Sequence, residues 1–138
     1  MSRLAGGAVL PLLLALGGGA WALQWTAPDG ERSRTNPVPD SPAARQKGRA
    51  LYQKHCASCH GDKGKGDGPA AAFNPGQPPD LTDAELQGLI TDGEMLWKIT
   101  VGRKDGVEVL MPAMTDKVPV EEDRWKLVLF VRSLAVRP

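Results

Sequence analysis

The chain has 138 residues, of which 41% are hydrophobic, a formal net charge of +1 and two cysteines. This length allows one folded domain of roughly 100 residues after an apolar start and a Pro-rich stretch, and it makes a second core unlikely on size alone. A nearly neutral chain gives no reason to expect a nucleic acid or a strongly anionic surface as its partner.

The N-terminus is an uncharged, largely apolar run from Leu4 to Leu23 that follows a single arginine. Such a segment is inserted into a membrane or exported, with the arginine left inside. The Ala20-Trp21-Ala22 run is similar to a signal-peptide cleavage site, so a cleaved signal is one interpretation. About 20 residues also suffice to span a bilayer, and Trp21 and Trp25 would then lie in an outer aromatic belt. We therefore expect an anchor or a signal over residues 1–25, with the anchor favoured, and a periplasmic location for the rest.

Residues 26–41 are mostly polar and include Pro28, Pro37 and Pro39. This composition predicts an extended linker, which would reach roughly 50 Å at about 3 Å per residue. Such a linker can act as a tether only if its N-terminal end is attached to the membrane, so it also favours the anchor. The folded domain is then predicted over residues 42–138.

The first helix of this domain is predicted to begin at Ser41-Pro42, with Ser as the N-cap and Pro at the first helical position, and to run toward Lys54. Gly48, Tyr52 and Cys56 share one face of this helix. A glycine inside a helix costs about 1 kcal/mol relative to alanine, so Gly48 indicates a close crossing with another helix.

Both cysteines occur in one C-x-x-C-H run, Cys56-Ala57-Ser58-Cys59-His60. The pair is too local for a disulfide scaffold, and a zinc site would need two further ligands, whereas the only histidines are His55 and His60. A thioredoxin-like redox pair requires a βαβ context, which the Gly-rich, helix-patterned surroundings do not offer. The spacing is that of covalent haem attachment, in which two thiols bind the vinyl groups and the adjacent imidazole binds the iron. One haem c on Cys56, Cys59 and His60 is therefore predicted.

Three further helix signals follow. Thr82-x-x-Glu85 and Thr91-x-x-Glu94 both have the pattern of a capping box, and the second predicts a helix over 93–101 that ends at Gly102. A last helix is predicted over about 120–136, apolar around much of its circumference and therefore well buried.

Taken together, these motifs resemble the class I cytochrome c family over roughly residues 43–134. The resemblance rests on the Gly48–Gly61 segment with its C-x-x-C-H run, on Pro79-Asp80-Leu81, on Met111-Pro112-Ala113 and on the closing helix, in the order and spacing of the family. It implies an all-α cytochrome c fold, in which a few short helices wrap around one covalently attached haem. It also implies that Gly48 and Tyr52 meet the last helix near Phe130.

The resemblance implies that Met111, in its Met-Pro motif, is the second axial ligand of the iron. Met114 is the alternative. Met95 lies in a helical pattern and is more typical of a core methionine. His55 is adjacent to the first cysteine and lies on the same side of the haem as His60, so we expect it to be an exposed residue.

The second ring nitrogen of His60 is expected to donate a hydrogen bond to a carbonyl oxygen, which fixes the tautomer. In the family this carbonyl belongs to a proline in a Pro-x-Leu context, and Pro79 is the match. Pro78 and Pro69 are the competing candidates.

Leu81, which ends the Pro-x-Leu motif, and Trp97 are further candidate contacts of the haem. A tryptophan in some members of the family donates its indole N–H to a haem propionate, and Trp97 is the candidate for this role. The alternative is a core tryptophan that is satisfied elsewhere.

A thioether opposite an imidazole raises the reduction potential and fills the last coordination position of the iron. No catalytic triad, separate metal cluster or phosphate motif is visible, so we expect an electron carrier and not an enzyme in its own right. The expected role is that of a tethered carrier between respiratory or photosynthetic complexes. The alternatives are a fixed haem subunit of a larger electron-transfer complex and, disfavoured by Met111, a haem sensor or peroxidase.

Charge is unevenly distributed along the domain. Six basic residues and one acidic residue lie between Arg45 and Lys65, whereas six acidic residues and no basic ones lie over 66–96. We expect Lys54, Lys63 and Lys65, which are close in sequence to the haem motif, to guide an acidic redox partner to the haem edge. An ordinary solvated face is the alternative interpretation.

Overall fold

The structure is a computed structural model that describes residues 25–135. Within these residues the fold is mostly helical, with one short hairpin, which confirms the predicted all-α class and adds an element that the sequence did not indicate. The elements are α1 (Asp29–Arg32), α2 (Pro42–His55), α3 (Ala57–His60), a 3-10 turn (Ala71–Phe73), α4 (Ala84–Gly88), α5 (Asp92–Val101), β1 (Arg103–Asp105), β2 (Glu108–Met111) and α6 (Glu121–Ser133).

Helix α2 begins where the sequence predicts. The Ser41 hydroxyl accepts a hydrogen bond from the backbone N–H of Ala44 at 3.2 Å, and Pro42 occupies the first helical position. The helix ends at His55, and the N–H of Cys56 still donates to the carbonyl oxygen of Tyr52. The C-x-x-C-H run therefore starts directly at the end of α2, and α3 carries its last four residues.

Helices α2 and α6 cross closely at Gly48, as the resemblance implied. A Cβ atom at Gly48 would overlap the carbonyl oxygen of Lys126 and lie 2.9 Å from Cβ of Phe130. One turn later, the rings of Tyr52 and Phe130 have centroids 5.1 Å apart. Helix α6 buries Trp125 and Val128 almost completely, and it spans a shorter range than predicted, since it ends at Ser133.

The two predicted capping boxes have different outcomes. The Thr91 hydroxyl accepts from the N–H of Glu94 and caps α5, which ends before Gly102 as predicted. Thr82 caps nothing, because its hydroxyl donates to the carboxylate of Asp80 at 2.6 Å. Asp83 is the N-cap of α4 instead, and it accepts from two backbone N–H groups of the first turn. The prediction of a Thr82 cap is therefore wrong.

The segment over residues 25–38, here named the N-terminal strap, packs against α5 and α6. Ala27 is buried, the Thr91 hydroxyl donates to the carbonyl oxygen of Arg32 at 2.7 Å, and the Asn36 side chain donates to the carbonyl oxygen of Trp125 at 3.1 Å. This packing differs from the extended linker that the sequence predicts for 26–41. The reason is tertiary, because α1 approaches α5 where Gly93 has no side chain.

None of the helices within residues 25–135 is long and apolar enough to cross a membrane. The predicted anchor or signal over 1–25 lies outside the described residues, apart from Trp25.

The hairpin follows α5 directly. Its strands pair antiparallel, with Arg103 opposite Met111, and Gly106 supplies a positive φ in the turn. Gly102, also at positive φ, lies so close to Met111 and Ala113 that a Cβ atom there would overlap their backbone. A glycine is therefore required at this point for the chain to bring Met111 back against the end of α5.

Candidate cofactor site

A cleft of about 450 Å³ opens where α2, α3, the hairpin and the loop over 74–79 meet. Cys56, Cys59, His60 and Met111 all contribute to its wall. A smaller cavity of about 190 Å³ shares three of these residues and extends into the core. Its remaining wall is largely apolar and includes Leu81, Met95, Ile99, Leu127 and Val131. The volume of the larger cleft is within the range of small-molecule and cofactor sites.

The local chain brings both thiols and the imidazole to this cleft. Cys56 lies at the N-cap of α3 and Cys59 lies in its last turn, and both are free, partly buried thiols. Burial raises the pKa of Cys56 to about 12, so this sulfur is a neutral thiol at neutral pH. The predicted grouping of Cys56, Cys59 and His60 is thus present in one wall.

Burial also lowers the pKa of His60, which favours the neutral imidazole that binds metals. Its Nδ1 atom is buried and has no hydrogen-bond partner among the described residues. The predicted hydrogen bond from His60 to the carbonyl of Pro79 is therefore not formed. The carbonyl oxygens of Pro78 and Pro79 lie against Gly66 instead, although both prolines line the cleft. Pro69 lines neither cavity.

The three candidate methionines have different positions. Met111, at the end of β2, is half-buried and lines both cavities. Met114 is buried, lines only the larger cleft, and donates its backbone N–H to the carbonyl oxygen of Ile99 at 3.1 Å. Met95 is buried on α5 and lines only the inner cavity. Met111 is thus the methionine that reaches both the cysteine-lined cleft and the apolar cavity behind it.

Of the two further predicted contacts, Leu81 lines the inner cavity and Trp97 lines neither. Trp97 is half-buried on α5. The tryptophan that does line both cavities is Trp25, which donates its indole N–H to the carbonyl oxygen of Gly102 at 3.0 Å. Sequence reasoning assigned Trp25 to a membrane interface, and no local signal linked it to a cleft about 30 residues further along the chain.

The basic residues at the cleft also differ from those predicted. Lys98, Arg103 and Lys117 line it, whereas Lys63 and Lys65 line a separate depression that is bordered by α6. His55, expected to be exposed, is half-buried in the cleft wall. Its pKa is lowered by burial and, to a lesser extent, by the charges of Lys54 and Lys117.

The donor set fits covalent haem c. Two free thiols and one neutral imidazole lie in the same wall, a thioether lines the cleft with them, and the inner wall is apolar.

The chain is similar to a known protein family and to solved structures. Residues 43–131 match the family model described as cytochrome c oxidase, cbb3-type, subunit III. Among solved structures, the chain is similar to one from the Kuenenia stuttgartiensis reducing HAO-like protein complex Kustc0457/Kustc0458, with a TM-score of 0.60 and 24% identity. That match covers 72% of this chain and 47% of the other, so this chain spans about half its length.

A second similar structure is the KustC0563 c-type cytochrome, with a TM-score of 0.54 and 26% identity over 64% of this chain and 98% of the other. No curated protein gives a significant match.

Proposed function

Because the chain belongs to the family described as cytochrome c oxidase, cbb3-type, subunit III, and is a c-type cytochrome, we propose that it carries one haem c. Through this haem the chain transfers single electrons on the periplasmic side of the cytoplasmic membrane. One observation carries the proposal: Cys56, Cys59, His60 and Met111 line the same cleft. When bound, the haem iron supplies a one-electron redox couple.

The residues of the chain have distinct roles in this proposal. Cys56 and Cys59 would hold the cofactor through two thioether bonds, and His60 and Met111 would ligate its iron. The apolar wall formed by residues such as Ile99, Leu127 and Val131 keeps water from the inner side. Such a dry environment limits the charge reorganisation that accompanies a one-electron change.

The role we propose is that of a tethered carrier between respiratory or photosynthetic complexes, with redox proteins as partners and residues 4–25 as the membrane anchor. A fixed haem subunit of a larger complex is the second candidate, and the N-terminal strap favours it. A strap held against α5 and α6 gives the domain little reach from an anchor that would end immediately before it.

The central proposal is tested on the full chain produced in a host that attaches haem c. Acid-acetone extraction should leave the colour on the polypeptide, and a pyridine haemochrome assay should give one haem per chain. The Cys56→Ala/Cys59→Ala double variant should lose the haem on extraction. A colourless wild-type polypeptide after extraction would contradict the proposal.

A second experiment distinguishes a tethered carrier from a fixed subunit of a complex. Membranes containing the full chain are solubilised in mild detergent, and the haem-containing fraction is sized. Other chains in a fixed ratio would favour the subunit, whereas a single chain that is released alone would favour the carrier.

A further inference from the structure

Trp25 is the point where the N-terminal strap meets the cofactor cleft. Its indole N–H donates to Gly102, and its ring lies beneath two cationic groups. The Nζ atom of Lys98 is 5.0 Å from the ring centroid, and the guanidinium carbon of Arg103 is 5.5 Å from it. Both distances are within the range of cation–π contacts. All three residues line the larger cleft.

The strap holds Trp25 in place through contacts that lie away from the cleft. Arg32 forms an ion pair with the buried carboxylate of Glu94 at 3.5 Å, and its carbonyl oxygen accepts from Thr91. Arg34 stacks on the Trp125 ring at 5.4 Å and pairs with Glu31 at 3.0 Å. The position of Trp25 is therefore set by the packing of the strap as a whole.

The charged side chains that line the cleft are all basic. Lys98, Arg103 and Lys117 line it, and no carboxylate lines either cavity within residues 25–135. Lys98 is partly neutralised by Glu94 at 2.9 Å, whereas Arg103 forms no salt bridge among the described residues. Arg103 is thus held mainly by the Trp25 ring and by the pairing of β1 with β2.

We propose that Trp25 is a positioning residue of the haem site. It holds Arg103 and Lys98 at the cleft, where their positive charges face the haem carboxylates and favour the reduced state of the haem. The inference rests on the proposed function, since it requires a haem in this cleft. A positive charge near the iron stabilises the state that has gained an electron. The strap, which lies before the segment that matches the family, then tunes the potential of the domain.

The test measures the midpoint potential of the full-length haem protein. Trp25→Ala should lower the equilibrium constant for reduction by roughly three- to tenfold, where tenfold corresponds to about 59 mV for one electron. Arg103→Gln should also lower this equilibrium constant. Trp25→Phe retains an aromatic face for the two cations and should restore most of the wild-type potential.

Lys104→Gln is the matched control, because it removes one positive charge from the strand that carries Arg103, at an exposed position that lines neither cavity and lies outside the strap. It should leave the potential unchanged. In the Lys98→Gln/Arg103→Gln background, Trp25→Ala should have no further effect.

Two results would overturn the proposal. One is an Arg103→Gln variant whose midpoint potential equals that of the wild type. The other is a Trp25→Ala shift that persists in the Lys98→Gln/Arg103→Gln background, because Trp25 would then act by excluding water. Loss of colour from the extracted wild-type chain would instead contradict the proposed function itself.

Discussion

Tyr52 donates its buried hydroxyl to the carbonyl oxygen of Gly61 at 2.7 Å, and this bond joins α2 to the loop that leaves His60. The same ring packs against Phe130 of α6. One side chain therefore connects the helix before the C-x-x-C-H run, the residue after it and the closing helix.

We expect Tyr52→Phe to reduce the free energy of unfolding by about 1–3 kcal/mol, because the buried carbonyl loses its donor. Burial raises the pKa of Tyr52 well above its usual value, so the unfolded chain loses this proton first as pH rises. The contribution should be complete below about pH 10 and decline above it. Denaturant unfolding of both proteins at pH 7 and above pH 10 checks this, and a difference that grows at alkaline pH would contradict it.

Gly48→Ala should destabilise the protein by about 1–3 kcal/mol, because a Cβ atom would overlap the Lys126 carbonyl and force α2 and α6 apart. Gly88→Ala is the matched control, since Gly88 is also helical and a Cβ atom there meets nothing within 4 Å. The control should be neutral or stabilising by up to about 1 kcal/mol. Equal losses in the two variants, measured by denaturant unfolding, would argue against a close crossing.

Met111→Ala should remove the sulfur–iron charge-transfer band, lower the reduction potential and admit cyanide or carbon monoxide, because the iron loses its thioether. Met114→Ala should leave the spectrum nearly unchanged and cost about 2–5 kcal/mol of stability, since Met114 is a buried core residue. The absorption spectrum and ligand titrations measure the difference. An exchange of behaviour between the two variants would assign the ligand to Met114.

Glu94→Gln should cost about 1–3 kcal/mol, because the Glu94 side chain is 5% exposed and pairs with both Lys98 and Arg32. Arg32→Gln should lower the free energy of unfolding by less than about 1 kcal/mol. The Arg32 side chain is 45% exposed, and an ion pair with so exposed a member contributes little. Denaturant unfolding of the two variants tests whether the strap is joined to the core through Glu94. A larger loss from Arg32→Gln than from Glu94→Gln would contradict this ordering.

Lys117→Glu should slow oxidation by hexacyanoferrate(III) at low ionic strength, because an acidic group at the cleft repels an anionic oxidant. The effect should shrink at about 0.15 M salt, where charges are screened over about 8 Å. Lys63→Glu is the matched control, since Lys63 lines a different depression, and its effect should be smaller. Stopped-flow oxidation rates, measured against ionic strength, compare the two variants. Equal effects of Lys117→Glu and Lys63→Glu would favour the interpretation of an ordinary solvated face.

Features that depend on the spacing of a few neighbouring residues can be predicted from the sequence alone. The Ser41-Pro42 start, the Thr91 cap and the C-x-x-C-H run are local, because each needs only neighbouring backbone or side-chain groups. Gly48 was informative for a different reason, since a glycine inside a helix needs a packing explanation.

Features that depend on groups distant in sequence became visible only in the folded structure. It brought Trp25, and not Trp97, to the cleft, and it packed the strap on α5 and α6 where composition indicated a linker. It also separated Lys63 from the cleft and put Lys117 there, 57 residues beyond His60 by the sequence numbers. The physical reason is that these positions are set by burial between helices, and burial depends on which surfaces meet and not on the order of residues.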